Sequence, residues 1–423
     1  MKRDRRSVRP AASFSIALAL LGLPGATPLS AQGTAPPVPG SELTIYVMTM
    51  GVGGEVWERF GHNAIVVEDH RFGTSTAYNY GMFSFRQENF ILRFLQGRME
   101  YWMAGYPTEE DVPRYIAAQR SVWEQELNLM PEQRLELRRA LEFNALPENR
   151  FYRYDYYRDN CSTRVRDAID RVLDGRFHDQ MRGPSPVTYR FHTQRLNTQS
   201  VPLYMGLLLA LGHGVDAPIT KWDEMFLPLK LRDYLREVRV PGQDGALVPL
   251  VKSERTLYAS DAYPVPDAPP PWGPRFFLAG LVVGGALAWG GIAGRRAAAA
   301  RWLLLVVGTF WALLTGLAGF VLAGLWAFTD HVMASRNENI LQVSLFALAL
   351  GLALPFALLD RPRALRGAKG LAIAVGGLSL AGLLIKVLPL FDQVNGQVLA
   401  FFVPVNLGLT LGVLGWVRTR PLP

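Results

Sequence analysis

The chain has 423 residues, a formal net charge of +8 and a single cysteine, Cys161. One cysteine excludes an intramolecular disulfide and a four-cysteine zinc site, so the thiol is either a buried filler or a nucleophile. The positive charge does not indicate nucleic acid, because residues 32–274 carry 27 basic and 31 acidic residues and the surplus in the flanking segments reads as targeting and topology signal.

Met1 to Ala31 reads as an export signal: Lys2, Arg3, Arg5, Arg6 and Arg9 precede an apolar stretch from Ala11 to Leu23, then small residues to Ser30-Ala31. Residues 32–42 form a Pro- and Gly-rich leader. Residues 43–262 are then the body of an exported, periplasmic domain. Leu43 to Met50, His62 to Glu68 and Thr74 to Phe85 read as strands, rich in β-branched and aromatic residues. Asn89 to Met103, Thr108 to Leu127, Pro131 to Leu146 and Cys161 to Leu173 show apolar residues at helical spacing. Leu203 to Leu211 is apolar but too short to span a bilayer, so it is expected as a buried or surface-docking helix. Residues 263–274, with Pro269-Pro270-Pro271, form a stiff tether.

From residue 275 onward the composition becomes that of a membrane domain. Five apolar stretches of spanning length follow: Phe276 to Ala293, Trp302 to Phe328, Leu341 to Leu359, Leu371 to Phe391 and Val398 to Val417. Arg295, Arg296 and Arg301 fill the first connection. Arg361, Arg363, Arg366 and Lys369 fill the third, and Arg418 and Arg420 close the chain. The positive-inside rule therefore places the carboxyl terminus in the cytoplasm and the N-terminal domain outside, the topology of a multi-pass inner-membrane protein.

The chemistry centres on Cys161. Asp159 or Asn160 can cap the helix that opens there, and the positive end of that helix favours thiolate and offers backbone N–H groups to an oxyanion. His62, behind Gly61 at the head of a strand, is a candidate general base. Asn79 on the next strand can fix its tautomer, a role for which Glu68, Asp69 and His70 compete. A zinc site from His62, Asp69 and His70 lacks recognisable ligand spacing. Arg190 and Arg195 are phosphate-binding candidates, against the plainer reading of a basic surface. The polar second connection, Thr329 to Asn339, offers His331, Arg336 and Asn337 either to a phosphate headgroup or as a seat for the exported domain.

His62 on an early strand, a polar residue on the next, and Asn160-Cys161 at a helix start resemble the circularly permuted papain-like arrangement of lecithin retinol acyltransferase and related enzymes. The motifs Phe60-Gly61-His62-Asn63-Ala64, Tyr78-Asn79-Tyr80-Gly81, Asn160-Cys161-Ser162-Thr163-Arg164 and Phe226-Leu227-Pro228, followed by membrane helices, are similar to the Lnb family of bacterial lipoprotein N-acyltransferases. The resemblance implies an α+β, permuted papain-like domain followed by five transmembrane helices. It implies Cys161 as nucleophile and His62 as base, while Asn79 as orienting residue and Arg164 at the substrate follow by motif position only, with Asn160 beside them. It also implies a phospholipid acyl donor, a thioester, a lipoprotein amine as acceptor, and no cofactor. The same Cys and His pair would equally serve an amidase acting on cell-wall peptide, and a buried thiol would fit a non-enzymatic scaffold.

Overall fold

A computed structural model describes residues 38–418; the export signal expected at residues 1–31 lies outside them. The strands are β1 (Leu43–Met50), β2 (His62–Asp69), β3 (Thr74–Met82), β4 (Glu100–Pro107), β5 (Val122–Leu127), β6 (Phe151–Arg153), β7 (Arg239–Pro241), β8 (Leu247–Pro249) and β9 (Val251–Tyr258). Seven form one antiparallel sheet in the order β6-β4-β3-β2-β1-β5-β9, and β7 pairs with β8 apart from it. The helices of this region are α1 (Phe90–Gln96), α2 (Thr108–Ala117), α3 (Pro131–Ala145), α4 (Cys161–Val172), α5 (Arg176–Gln180), α6 (Tyr189–Leu196), α7 (Val201–Ala210), α8 (Lys221–Glu224) and α9 (Pro228–Leu235).

Two expected helices are shorter than the periodicity suggests, and each gives way to a strand. α1 stops at Gly97, whose φ of 69° and N–H bonds to the last turn close it; Tyr101 and Trp102 then pair with β6. α2 ends before Gln119, at φ 54°, and Val122–Leu127 joins β1. In both cases a partner strand far away in sequence outweighs a local helical pattern.

The sheet is covered on both faces. Ile45, Val47, Ile65, Val67, Tyr78 and Tyr80 face one core with Leu137 and Leu141 of α3, Val165 and Ile169 of α4, and Leu231 of α9. Met48, Met50, Ala64, Val66 and Ala77 face the other side, beneath Val112 and Tyr115 of α2. α4 begins sharply because Asn160 accepts from the N–H groups of Ser162 and Thr163 while Thr163 accepts from the Asn160 N–H. Such a cap contributes about 1 kcal/mol.

Five helices long and apolar enough to cross a membrane follow: Gly273–Ala293, Ala298–Phe328, Glu338–Leu358, Pro362–Val387 and Gly396–Arg418. The first and fifth meet through glycines, Gly284 against Gly408 and Gly291 against Gly412, where a Cβ would clash with backbone. The fourth begins earlier than its hydropathy suggests, so Arg363, Arg366 and Lys369 lie on its first turns rather than in a loop.

The two connections on the side of the N-terminal domain hold it in place. Asn337 donates to the carbonyls of Leu209 and Ala210 at 2.7 and 3.0 Å, Gln393 donates to Leu211 at 2.9 Å, and Gly212 N–H donates to Met333. The Asn337 and Gln393 amides satisfy the carbonyls at the end of α7, whose Tyr204 and Leu208 pack into the core of the membrane helices. Arg190 and Arg195 are not a basic surface. Arg190 is buried, pairs with Asp216 and donates to Leu211 and Gly212, and Arg195 donates to His192 and to the Pro266 carbonyl.

Candidate active site

His62 opens β2 and Asn79 lies on β3, whose register sets Asn79 opposite Ala64. Side chains alternate along a strand, so His62, Ala64 and Asn79 share the face beneath α2. α4 packs on the opposite face, and Cys161, which belongs to that core, also lines a cavity with His62. The β3–β4 pairing slips between Asn79 and Met82, and Gly81 there has φ 84° and no side chain, leaving room for the Cys161 Cβ. Gly61, at φ 85°, could not carry a Cβ either, since one would lie 2.9 Å from the Met50 carbonyl. These two constraints account for the glycines of the Phe-Gly-His and Tyr-Asn-Tyr-Gly motifs.

Cys161 and His62 line one cavity of about 350 Å³. The backbone N–H of Asn63, the residue after His62, hydrogen-bonds toward the Cys161 sulfur. His62 Nε2 lies 2.9 Å from Asn79 Oδ1. Asn79 Nδ2 donates to Asp111 Oδ2 at 2.9 Å and to the Ala77 carbonyl at 3.3 Å. With its amide nitrogen committed twice, Asn79 presents oxygen to the imidazole, so Nε2 carries the proton and Nδ1 keeps its lone pair. The Tyr115 ring stacks beside His62 with centroids 6.2 Å apart.

The charges are tuned toward neutrality. Burial pushes the Cys161 thiol up to about 11, although the N–H groups of Asn63 and Ser162 and the nearby Arg120 pull the other way. Loss of water holds His62 down to about 4; the Asn79 hydrogen bond opposes this and the Arg120 cation reinforces it. The helix-end effect expected to favour thiolate is therefore outweighed by desolvation, and the resting pair is thiol and neutral imidazole. A neutral thiol and a neutral imidazole in one cavity suit general-base removal of the proton rather than a preformed thiolate.

Asn160 takes the N–H groups of Ser162 and Thr163, and the N–H groups of Asn63, Ser162 and Cys161 lie toward the Cys161 sulfur. Backbone donors at the positive end of α4 are of the kind that can meet an oxyanion formed beside the sulfur.

The other expected site residues lie elsewhere or are committed. Asn160 lines the cavity, but its Nδ2 donates to the Tyr156 and Phe226 carbonyls, so its amide is wholly used in structure. Arg164 chelates Asp159 and covers the Tyr152 ring, outside the cavity wall. His331 Nε2 bonds the Phe94 carbonyl at 2.8 Å and Asn337 caps α7; both seat the N-terminal domain.

Several cavity residues carry no strong signal in the sequence. Asp111 reads as an ordinary acidic first-turn residue of α2. Arg120 follows α2 in a turn; it is buried, donates to the Gly51 carbonyl and Glu58, and lies over the Tyr115 ring, and its Nη2 has no partner among the described residues. The aromatic wall comes from scattered positions: Trp57, Phe60, Phe83, Tyr101, Tyr154 and Phe226. Of these, only Phe60 and Phe226 fall within motifs that the sequence singles out.

Residues 37–195 match the family model described as the Lnb N-terminal periplasmic domain. Over these residues the chain is similar to the Lnb family's periplasmic domain. The match contains Cys161, His62, Asn79, Asp111 and Arg120, and the five apolar helices follow the Lnb domain. Comparison with curated proteins and with solved structures finds no match.

Proposed function

We propose that this membrane protein is an Lnb-family thiol acyltransferase that moves an acyl chain from a phospholipid to the amino-terminal amine of a lipoprotein, working on the periplasmic side of the inner membrane with its carboxyl terminus in the cytoplasm. The observation that carries this reading is the cavity: a thiol and an oriented imidazole share a pocket whose wall combines aromatic rings with the charged groups Glu58, Asp111, Arg114 and Arg120, in a domain bonded directly to membrane helices. A peptidoglycan amidase would call for a polar groove directed away from the membrane. A cavity of about 350 Å³ is at the small end for a ligand site, so most of a two-chain donor would stay in the bilayer while its reacting ester enters.

In this mechanism His62 Nδ1 takes the thiol proton as sulfur attacks the ester carbonyl, and the oxyanion is met by the Cys161 N–H with Arg120 adding positive potential. Collapse breaks the ester C–O bond, and His62 returns the proton to the departing lysophospholipid oxygen. A thioester remains on Cys161. The lipoprotein amine then attacks the thioester, His62 accepts its proton, and the sulfur leaves and is reprotonated.

The deciding experiment is mass spectrometry of lipoprotein amino termini in cells lacking an N-acyltransferase, with and without this chain. A third acyl chain that appears with the wild type and is absent with Cys161→Ser or His62→Ala, at equal membrane levels, is expected. Its absence with the wild type sinks the reading and leaves hydrolysis as the better one.

A further inference from the structure

We infer that α1 and the turn before it, residues 85–95, dip into the lipid leaflet on the side of the N-terminal domain and form the gate through which an acyl chain reaches Cys161. α1 reads Phe-Ile-Leu-Arg-Phe-Leu-Gln and has no buried residue. Ile91 is 72% exposed, Leu92 53%, Phe94 57% and Leu95 44%. Five of its seven residues are apolar and none is buried, while Arg93 is held to Glu100 at 2.8 Å; so much exposed apolar surface is out of place in water, and a contiguous patch of this kind marks a binding surface.

Its height relative to the membrane is set by bonds to the end of the second span, Ala298–Phe328. Asp330 N–H donates to the Gln96 carbonyl at 3.0 Å, the His331 ring bonds the Phe94 carbonyl at 2.8 Å, and Arg98 and Arg153 both pair with the Asp330 carboxylate. Asp330 lies just past Phe328, so α1 is held at the level where the span leaves the hydrocarbon. The exposed apolar surface continues onto the span through Trp326 and Phe328. A lipid surface is thus the occupant that matches both the chemistry and the position of the patch.

A line of rings joins α1 to the cavity. Phe90 meets Phe85 at 5.3 Å, Phe85 meets Trp57 at 5.4 Å and Phe83 at 5.0 Å, and Phe83 meets Tyr101 at 5.2 Å. Trp57, Phe83 and Tyr101 are cavity walls beside Cys161. The gate's role in delivering a chain rests on the acyl-transfer reading; the insertion of α1 does not.

The test uses the full chain in phosphatidylcholine nanodiscs with Cys161→Ser removing the native thiol. An environment-sensitive fluorophore is placed at Ile91→Cys or, as a second position, Phe94→Cys, and at Leu247→Cys on the β7–β8 hairpin as the comparison. Nitroxide-bearing lipid is expected to quench the label at 91 and 94 at least threefold more than at 247. Equal quenching at the three positions overturns the inference. So does a blue shift without lipid quenching that depends on protein density, which would assign the patch to a second copy. Failure of lipoprotein acylation in cells would remove the acyl-transfer reading and leave this result standing.

Discussion

His62 and Asn79 are joined by a 2.9 Å hydrogen bond whose direction is set by Asp111, since the carboxylate holds the Asn79 amide nitrogen 2.9 Å away and turns its oxygen to the imidazole. If the tautomer of His62 matters for proton removal, Asn79→Ala should lower kcat about 10- to 100-fold with little change in KM. Asp111→Asn should cost less, because the Ala77 carbonyl still holds the amide. A larger loss for Asp111→Asn than for Asn79→Ala would argue against this relay. The measurement is acylation of a diacyl lipopeptide in detergent.

The thiol is neutral at rest, and alkylation reports it directly. With Cys161 pushed up to about 11, its rate with a small neutral iodoacetamide should rise about tenfold per pH unit from pH 7 to 10. A plateau beginning near pH 7 would mean a preformed thiolate.

Gly81 is where the sheet yields to the sulfur. Gly81→Ala would place a Cβ 3.3 Å from that of Cys161 at φ 84°, costing about 1–2 kcal/mol from the backbone alone. The expected outcome is a modest fall in thermal stability with a larger fall in acylation, and unchanged activity would refute the tight fit.

Acid should destabilise the N-terminal domain. His62 is held down to about 4 from 6.5, and His192 is lowered too, first by desolvation. Each binds fewer protons folded than unfolded, so the stability gained from keeping them neutral is complete above pH 6.5 and is lost as pH falls toward 4. Urea unfolding followed by tryptophan fluorescence should show lower stability at pH 5 than at pH 7, and His62→Gln should shrink the difference.

With five apolar helices, an odd number, crossing the membrane, the N-terminal domain and the carboxyl terminus are expected on opposite sides. A fluorescent protein fused at the carboxyl terminus should glow, and alkaline phosphatase fused there should be inactive. The reverse pattern would overturn the cytoplasmic placement.

Much of the architecture was open to a reader of the chain. Each membrane helix satisfies its backbone internally and needs only a long apolar run, so hydropathy located all five. The first three strands and the helix at Cys161 were likewise marked by their own composition and cap. Where a strand's identity depended on a distant partner, as for β4 and β5, local periodicity pointed to helix and was overruled. Arg190 and Arg195 were misjudged for the same reason, because their partners Asp216 and the Pro266 carbonyl are far along the chain.

Residue type and immediate neighbours were enough to single out the lone thiol, the histidine behind a glycine and the membrane setting. Folding was needed to show which groups share a cavity, to turn Asn79 through Asp111, to bring Arg120 beneath the site, and to replace the expected thiolate with a neutral pair. The difference is physical: caps and apolar runs are set by adjacent residues, whereas desolvation and hydrogen-bond direction depend on everything that packs around a group.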